Sequence, residues 1–216
     1  MAKNAEPKHG GRYESVKCNL CGADDYHVVY AAKEAQLPKL ESYSASGNEV
    51  LLDQVVKCNK CGFVYVNPRL RGETIVEGYS QAIDETYVSQ AAGREATFKS
   101  SLRIIEKHRP QKGRILDVGC AAGFFLKAAK ESGWEECGVE PSKWLADYGN
   151  KKLGLDIKAG TLAQAKFPAG HFDVVTLWDV LEHVPDPAAE LDEVRRVLAP
   201  GGLLVVNYPN FGSKLA

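Results

Sequence analysis

Two sets of residues in this 216-residue chain have the types and spacing that chemistry needs. The first is four cysteines in two near-copies of one turn, Cys18-Asn19-Leu20-Cys21-Gly22 and Cys58-Asn59-Lys60-Cys61-Gly62. Each turn sets two thiols side by side, and the glycine after the second reaches positive φ without strain. Two such turns brought together make a closed tetrahedral site of four thiolates, the donor set of a zinc ribbon. No open position or neighbouring base is apparent, so Cys18, Cys21, Cys58 and Cys61 point to structural Zn2+. Buried free thiols and a redox pair are the alternatives. The second set is Asp117, Glu140 and Asp179, each at or just after the end of an apolar run, with His183 four residues beyond the last of them. An acid at a strand end can accept hydrogen bonds from both hydroxyls of a ribose, and a near-neutral histidine can take a proton from a substrate.

These residues need elements to position them. Ile115, Leu116 and Val118 form a short apolar run, as in a strand buried on both faces. Gly119-Cys120-Ala121-Ala122-Gly123 is a turn of small residues, and Phe124 to Lys130 has apolar residues at helical spacing. Strand, small turn and helix together suit a nucleotide-type ligand. Small side chains admit it to the backbone, and the new helix offers unpaired N–H groups. Further alternation predicts strands or helices at 114–118, 123–132, 136–140, 143–152, 155–158, 172–178, 187–198 and 202–207. Strand and helix taking turns imply an α/β fold, a doubly wound and mainly parallel sheet with its ligand outside the C-terminal strand ends. The spacing Gly119-x-x-x-Gly123 departs from the G-x-G-x-x-G of dinucleotide-dependent oxidoreductases.

In this order DVGCAAG, GVEPS, FDVVTLWDVLEHVPDP and LAPGGLLVV resemble the class I S-adenosylmethionine-dependent methyltransferases, over about residues 93 to 210. The resemblance implies a Rossmann-like domain binding S-adenosyl-L-methionine. It puts Asp117, Gly119, Cys120, Ala121 and Gly123 at the methionine end of that cofactor and Glu140, with Pro141 beside it, on the ribose hydroxyls. Thr161 and Leu162 would lie by the adenine, where the family often has an acid that this chain lacks. Trp178 and Asp179 would border the transferable methyl. His183 is then either a base or a structural hydrogen-bonding residue. Tyr87, in the segment that caps the pocket in similar enzymes, either touches the cofactor or packs helices on the sheet; Tyr79 is expected to pack.

A four-cysteine module ahead of such a domain resembles bacterial methyltransferases of nucleotide-linked sugars and other small molecules. A quinone-like or hydroxylated small-molecule acceptor is the alternative, and a non-catalytic cofactor-binding protein is another. The family's domain usually continues for two more strands, so the expectation is a C-terminally incomplete domain whose fifth strand could pair with a second copy in a homodimer.

The expected layout is a flexible leader over 1–12, the zinc ribbon over 13–70, a helical connector over 71–112 and the cofactor-binding domain over 113–216. The 36 residues between Cys21 and Cys58 exceed the usual fifteen to twenty and suggest an insertion around Leu37 to Asn48. His27, beside the first turn, reads as a strand residue rather than a ligand. Net charge is −1, and residues 1–72 carry ten Lys or Arg against eight Asp or Glu, too even for a nucleic-acid surface. No run of about 20 apolar residues suggests a membrane span, and the polar N-terminus does not read as a secretory signal. A cytoplasmic protein with a small-molecule acceptor is the expectation.

Overall fold

The computed structural model describes residues 11–32, 45 and 53–210. The expected leader and insertion therefore lie outside the described residues, apart from Gly11, Arg12 and Ala45. Strands β1 (Tyr13–Glu14), β2 (Tyr26–Tyr30), β3 (Val55–Cys58), β4 (Val64–Val66) and β5 (Arg69–Leu70) come first. Three helices follow, α1 (Gly72–Ser80), α2 (Glu85–Ser89) and α3 (Ala91–His108). Then come β6 (Arg114–Val118), α4 (Phe124–Glu131), β7 (Glu135–Glu140), α5 (Lys143–Leu153), β8 (Ile157–Ala159) and α6 (Leu162–Ala165). The last elements are β9 (Phe172–Trp178), α7 (Pro187–Val197) and β10 (Leu198–Asn207).

The main sheet has five strands in the order β10-β9-β6-β7-β8, all paired in parallel. The chain winds outward from β6 to β8, then crosses back to β9 and β10. Strand order therefore reverses between β6 and β9, where their carboxyl ends leave a crevice. Alternate residues feed two cores. Ile115 and Val174 face Leu102, Ile105, Phe125 and Ala129 of α3 and α4, whereas Leu116 and Val175 face Leu162, Val194 and Val197 of α6 and α7. That period of two is the reason these strands are apolar throughout.

Two elements differ from the sequence reading by more than one residue at an end. β8 is Ile157–Ala159 rather than 155–158, because Leu155 packs into the core beside α4 and α5 before the ladder starts. β10 begins at Leu198, paired with Phe172. The Pro200-Gly201-Gly202 turn is absorbed as a register shift before Leu203 pairs with Val174. The short pair β1–β5 and the helices α2 and α6 carry too few residues for a periodic signal.

In the N-terminal unit β2, β3 and β4 form an antiparallel sheet. The two cysteine turns have the same backbone. The Gly22 and Gly62 N–H groups donate to the Cys18 and Cys58 carbonyls at 2.8 and 3.0 Å, and both glycines have positive φ. The Cys18 and Cys58 N–H groups each donate five residues ahead, to Ala23 and Phe63, at 2.9 Å. No helix among the described residues is long and apolar enough to cross a membrane.

Candidate functional site

The crevice at the switch point is built from strand ends. Asp117, one residue from the end of β6, is buried and accepts a 2.6 Å hydrogen bond from the Thr176 hydroxyl of β9. Burial raises its carboxyl to about 8, against the Thr176 bond and with a further push from the Glu140 charge. Glu140 ends β7, also buried. Its two oxygens accept from the backbone N–H groups of Ala121 and Ser142, both at 2.8 Å. Burial still raises Glu140 to about 7. Pro141 lies between Glu140 and Ser142 in the chain. Ser142 caps α5 by accepting from the Leu145 N–H and donates its hydroxyl to the Ala82 carbonyl at 2.8 Å, tying the end of β7 to the segment after α1.

The small-residue turn rises over these acids. Gly119, Ala121 and Gly123 all have positive φ. Gly119 and Cys120 donate their N–H groups to the Val139 carbonyl. A Cβ at Gly119 would come 2.7 Å from Val180, and one at Gly123 would come 2.5 Å from Leu155. Both positions therefore leave no room for a side chain. Cys120 is buried, its thiol pushed well above its ordinary value by burial and its sulfur packed toward Gly138 of β7. Ala121, a non-glycine in the left-handed region, stores strain beside the ligand space.

Tyr87 is buried, stacked on Phe124 at 5.6 Å, with the Arg94 guanidinium 3.8 Å above its ring. It joins Ala121, Ala122 and Leu145 in one apolar cluster over the turn. Trp178, at the end of β9, packs between Phe98 and Phe125, and its indole N–H has no partner among the described residues. The Arg94 Nε–H is also buried without one. Asp179 follows at φ +52, held by its N–H to the Asn207 carbonyl and by the Asn207 amide to its Oδ1 at 2.9 Å. Thr161 spends its hydroxyl on a capping box at the start of α6, and Leu162 is buried in the core beneath.

His183 is exposed at this same sheet edge. Its Nδ1 lies 3.0 Å from the hydroxyl of Tyr79, on α1. Tyr79, expected only to pack, thus carries a polar contact across to the loop after β9. The four cysteine sulfurs all lie within 4.8 Å of one another, with Cys18–Cys61 at 3.5 Å and Cys21–Cys58 at 3.6 Å. Zn–S bonds of about 2.3 Å in a tetrahedron put sulfurs about 3.8 Å apart, so this donor set fits the ion with little movement. The Cys61 backbone N–H, joined by that of Lys60, outweighs burial and lowers the Cys58 thiol to about 7. His27 stays outside the cluster and meets Asn59 Oδ1 at 2.7 Å.

Residues 89–215 match the family model described as a methyltransferase domain, more than half of the chain. The chain belongs to that family. Its fold is that of the class I S-adenosylmethionine-dependent methyltransferases. A SAM-dependent methyltransferase from Thermotoga maritima, at 24% identity, aligns over 66% of this chain and 64% of its own with a TM-score of 0.52. One from Archaeoglobus fulgidus, at 22% identity, gives 0.51 over 60% and 61%. Among curated relatives, a ubiquinone biosynthesis O-methyltransferase of Psychrobacter arcticus is 35% identical over 47% of this chain and 42% of its own. One of Bradyrhizobium sp. is 29% identical over 79% and 66%. The chain spans about half the length of most such relatives that it matches. As a methyltransferase domain, it brings Asp117, the Gly119–Gly123 turn, Glu140, Trp178 and Asp179 to the carboxyl ends of the neighbouring strands β6, β7 and β9. Sequence reasoning passed over Thr176, Ser142, Arg94 and Asn207. Only Ser142 left a signal, a cap residue directly before a helical period.

Proposed function

We propose that this methyltransferase domain moves a methyl group from S-adenosylmethionine to a hydroxyl of a small molecule. The observation that carries the reading is the meeting of two buried carboxyls, Asp117 and Glu140, beneath a turn of small positive-φ residues at the switch point. The residues present fit the cofactor. The Gly119–Gly123 turn leaves backbone open to a ligand, Glu140 keeps acceptor capacity for ribose hydroxyls, and Asp117 suits an ammonium group. Trp178 and Asp179 would flank the methyl, with Thr161 and Leu162 toward the adenine. When bound, the cofactor supplies an electrophilic methyl on a sulfonium. The protein's part is to hold donor and acceptor oxygen in line and to keep water out. Tyr87, Phe124 and Leu145 supply an apolar wall for that exclusion.

A hydroxyl acceptor must lose its proton. The contact between Tyr79 and His183 Nδ1 supports His183 as the base, with Tyr79 fixing the ring so that Nε2 is left to take the proton. Nucleotide-linked sugars are our first acceptor class, on the strength of the four-cysteine module. Quinone-like phenols are the second, favoured by relatives named ubiquinone biosynthesis O-methyltransferases. We also infer that Cys18, Cys21, Cys58 and Cys61 hold one structural zinc. Titration calorimetry with S-adenosylhomocysteine, followed by mass spectrometry of nucleotide-sugar and polyhydroxylated quinol panels, tests the reading. A gain of one methyl on either panel supports it, and absence of cofactor binding would sink it.

A further inference from the structure

The two cysteine turns carry asparagine at the same position, yet their side chains go to different places. Asn59 stays within its own module, donating to Asp25 Oδ1 at 2.8 Å and facing His27. Asn19 leaves it. Its amide donates to Asp186 Oδ1 at 2.8 Å, and its carbonyl oxygen accepts from the Ala188 N–H at 2.9 Å. Asp186 is the N-cap of α7 and accepts from the Ala189 N–H at 3.1 Å. The first turn of α7 is therefore capped twice, once by its own aspartate and once by a residue 169 positions away.

That cap closes the loop bearing His183. Between Asp179 and α7 the loop is gripped at three points from the N-terminal side. Tyr79 meets His183, the Arg69 guanidinium donates to the Pro185 carbonyl, and Gly72 leaves only 3.0 Å between a built Cβ and Pro185. Arg69 is itself fixed by Glu14 at 3.1 Å.

We propose that Asn19 is a positioning residue for His183, and that the metal-binding turn thereby sets the geometry of the acceptor side of the pocket. This rests on the reading of the crevice as a methyl-transfer site. The turn holds Asn19 in place only while its thiolates are gathered, so chelation and loss of Asn19 loosen the same segment. The cofactor side, built on Asp117, Glu140 and the Gly119–Gly123 turn, has no contact with Asn19 and stays as it is.

The full chain is compared with Asn19→Ala, with Asn59→Ala and with protein treated with a zinc chelator. Amide hydrogen exchange over 180–190 should quicken roughly tenfold in Asn19→Ala and after chelation, as expected for a lost helix cap, and stay at the parental rate in Asn59→Ala. The 15N shift of His183 Nδ1 should move toward that of an unbonded ring in Asn19→Ala alone among the two variants. Affinity for S-adenosylhomocysteine should stay within about twofold throughout, since the side-chain bonds of Asn19 go to Asp186 and Ala188 and to none of Asp117, Glu140 or the Gly119–Gly123 turn. Equal loosening by both asparagine variants would overturn the proposal, as would unchanged exchange and an unmoved His183 signal in Asn19→Ala. Failure of the parent protein to bind S-adenosylhomocysteine would instead remove the methyl-transfer reading, while the exchange result would still decide the coupling.

Discussion

The four-cysteine cluster and the crevice pose the same physical problem and solve it differently. Each gathers acids that repel one another when ionised. In the N-terminal unit two copies of one turn aim four sulfurs at a single point within 4.8 Å, an arrangement that asks for a cation. In the crevice, Asp117 and Glu140 come from different strands. They are kept by backbone N–H groups, by one hydroxyl and by pKa values raised to about 8 and about 7. The first site is complete once filled. The second retains lone pairs and exchangeable protons for a ligand. A closed donor set gives a staple, and an incompletely satisfied one gives a binding site.

The contrast predicts where each region breaks. The largest effect should come from Cys58→Ser, which removes a buried thiolate from a site whose apparent binding energy is roughly 10–16 kcal/mol in small zinc modules. Metal analysis should fall from about one zinc per chain to none, and a retained full complement would contradict the closed-site reading. Next comes Gly123→Ala. Its methyl meets Leu155 and Ile157 at 2.5 and 2.9 Å with φ at +80. Denaturant unfolding should show a loss of about 2–4 kcal/mol from overpacking and left-handed strain together.

Glu140→Ala strands the Ala121 and Ser142 N–H groups. It should lower stability by about 1–3 kcal/mol and weaken S-adenosylhomocysteine about as much in calorimetry. Undiminished affinity would reject the ribose role. The pH dependence sharpens the same point. Both carboxyls have folded values above their ordinary 3.8 and 4.5, so the folded state holds protons that the unfolded chain has released. Ligand-free stability should therefore fall as pH rises from about 4 to about 8, by at most about 1.4 kcal/mol per pH unit for each proton, and flatten above that. Asp117→Asn should reduce the slope. Cofactor binding near neutral pH should release protons, seen as a calorimetric enthalpy that changes with the buffer. A stability that rises over this window would refute the assignment. The smallest effect should be that of Asn59→Ala, about 0.5–1 kcal/mol from exposed hydrogen bonds within its module, read as a modest shift in the unfolding midpoint.

How much was legible beforehand follows from the range of each interaction. The strands over 114–118 and 172–178 were read at the residue, because a strand covered on both faces is apolar along its whole length. The cysteine turns were legible because all their geometry lies within five residues. Glu140 could be singled out by its place at a strand end, but not its grip on Ala121, which depends on how β6 and β7 lie side by side. Thr176 looked like one more β-branched strand residue, and only the pairing of β6 with β9 makes its hydroxyl the partner of Asp117. Tyr79 was expected to pack because nothing near it in the chain suggests a histidine 104 residues on.

The chain's own pattern determined a parallel α/β sheet, a small-residue turn after its first strand, acids at the strand ends and two matching metal-type turns. These follow from local periodicity and from the stereochemistry of glycine and cysteine. Tertiary structure alone decided which of two identical asparagines stays in its own module and which crosses to α7. It also decided that a tyrosine should meet His183. Local sequence sets what a residue can bond to, but the relative placement of distant elements selects the partner, because a hydrogen bond needs its two atoms about 3 Å apart.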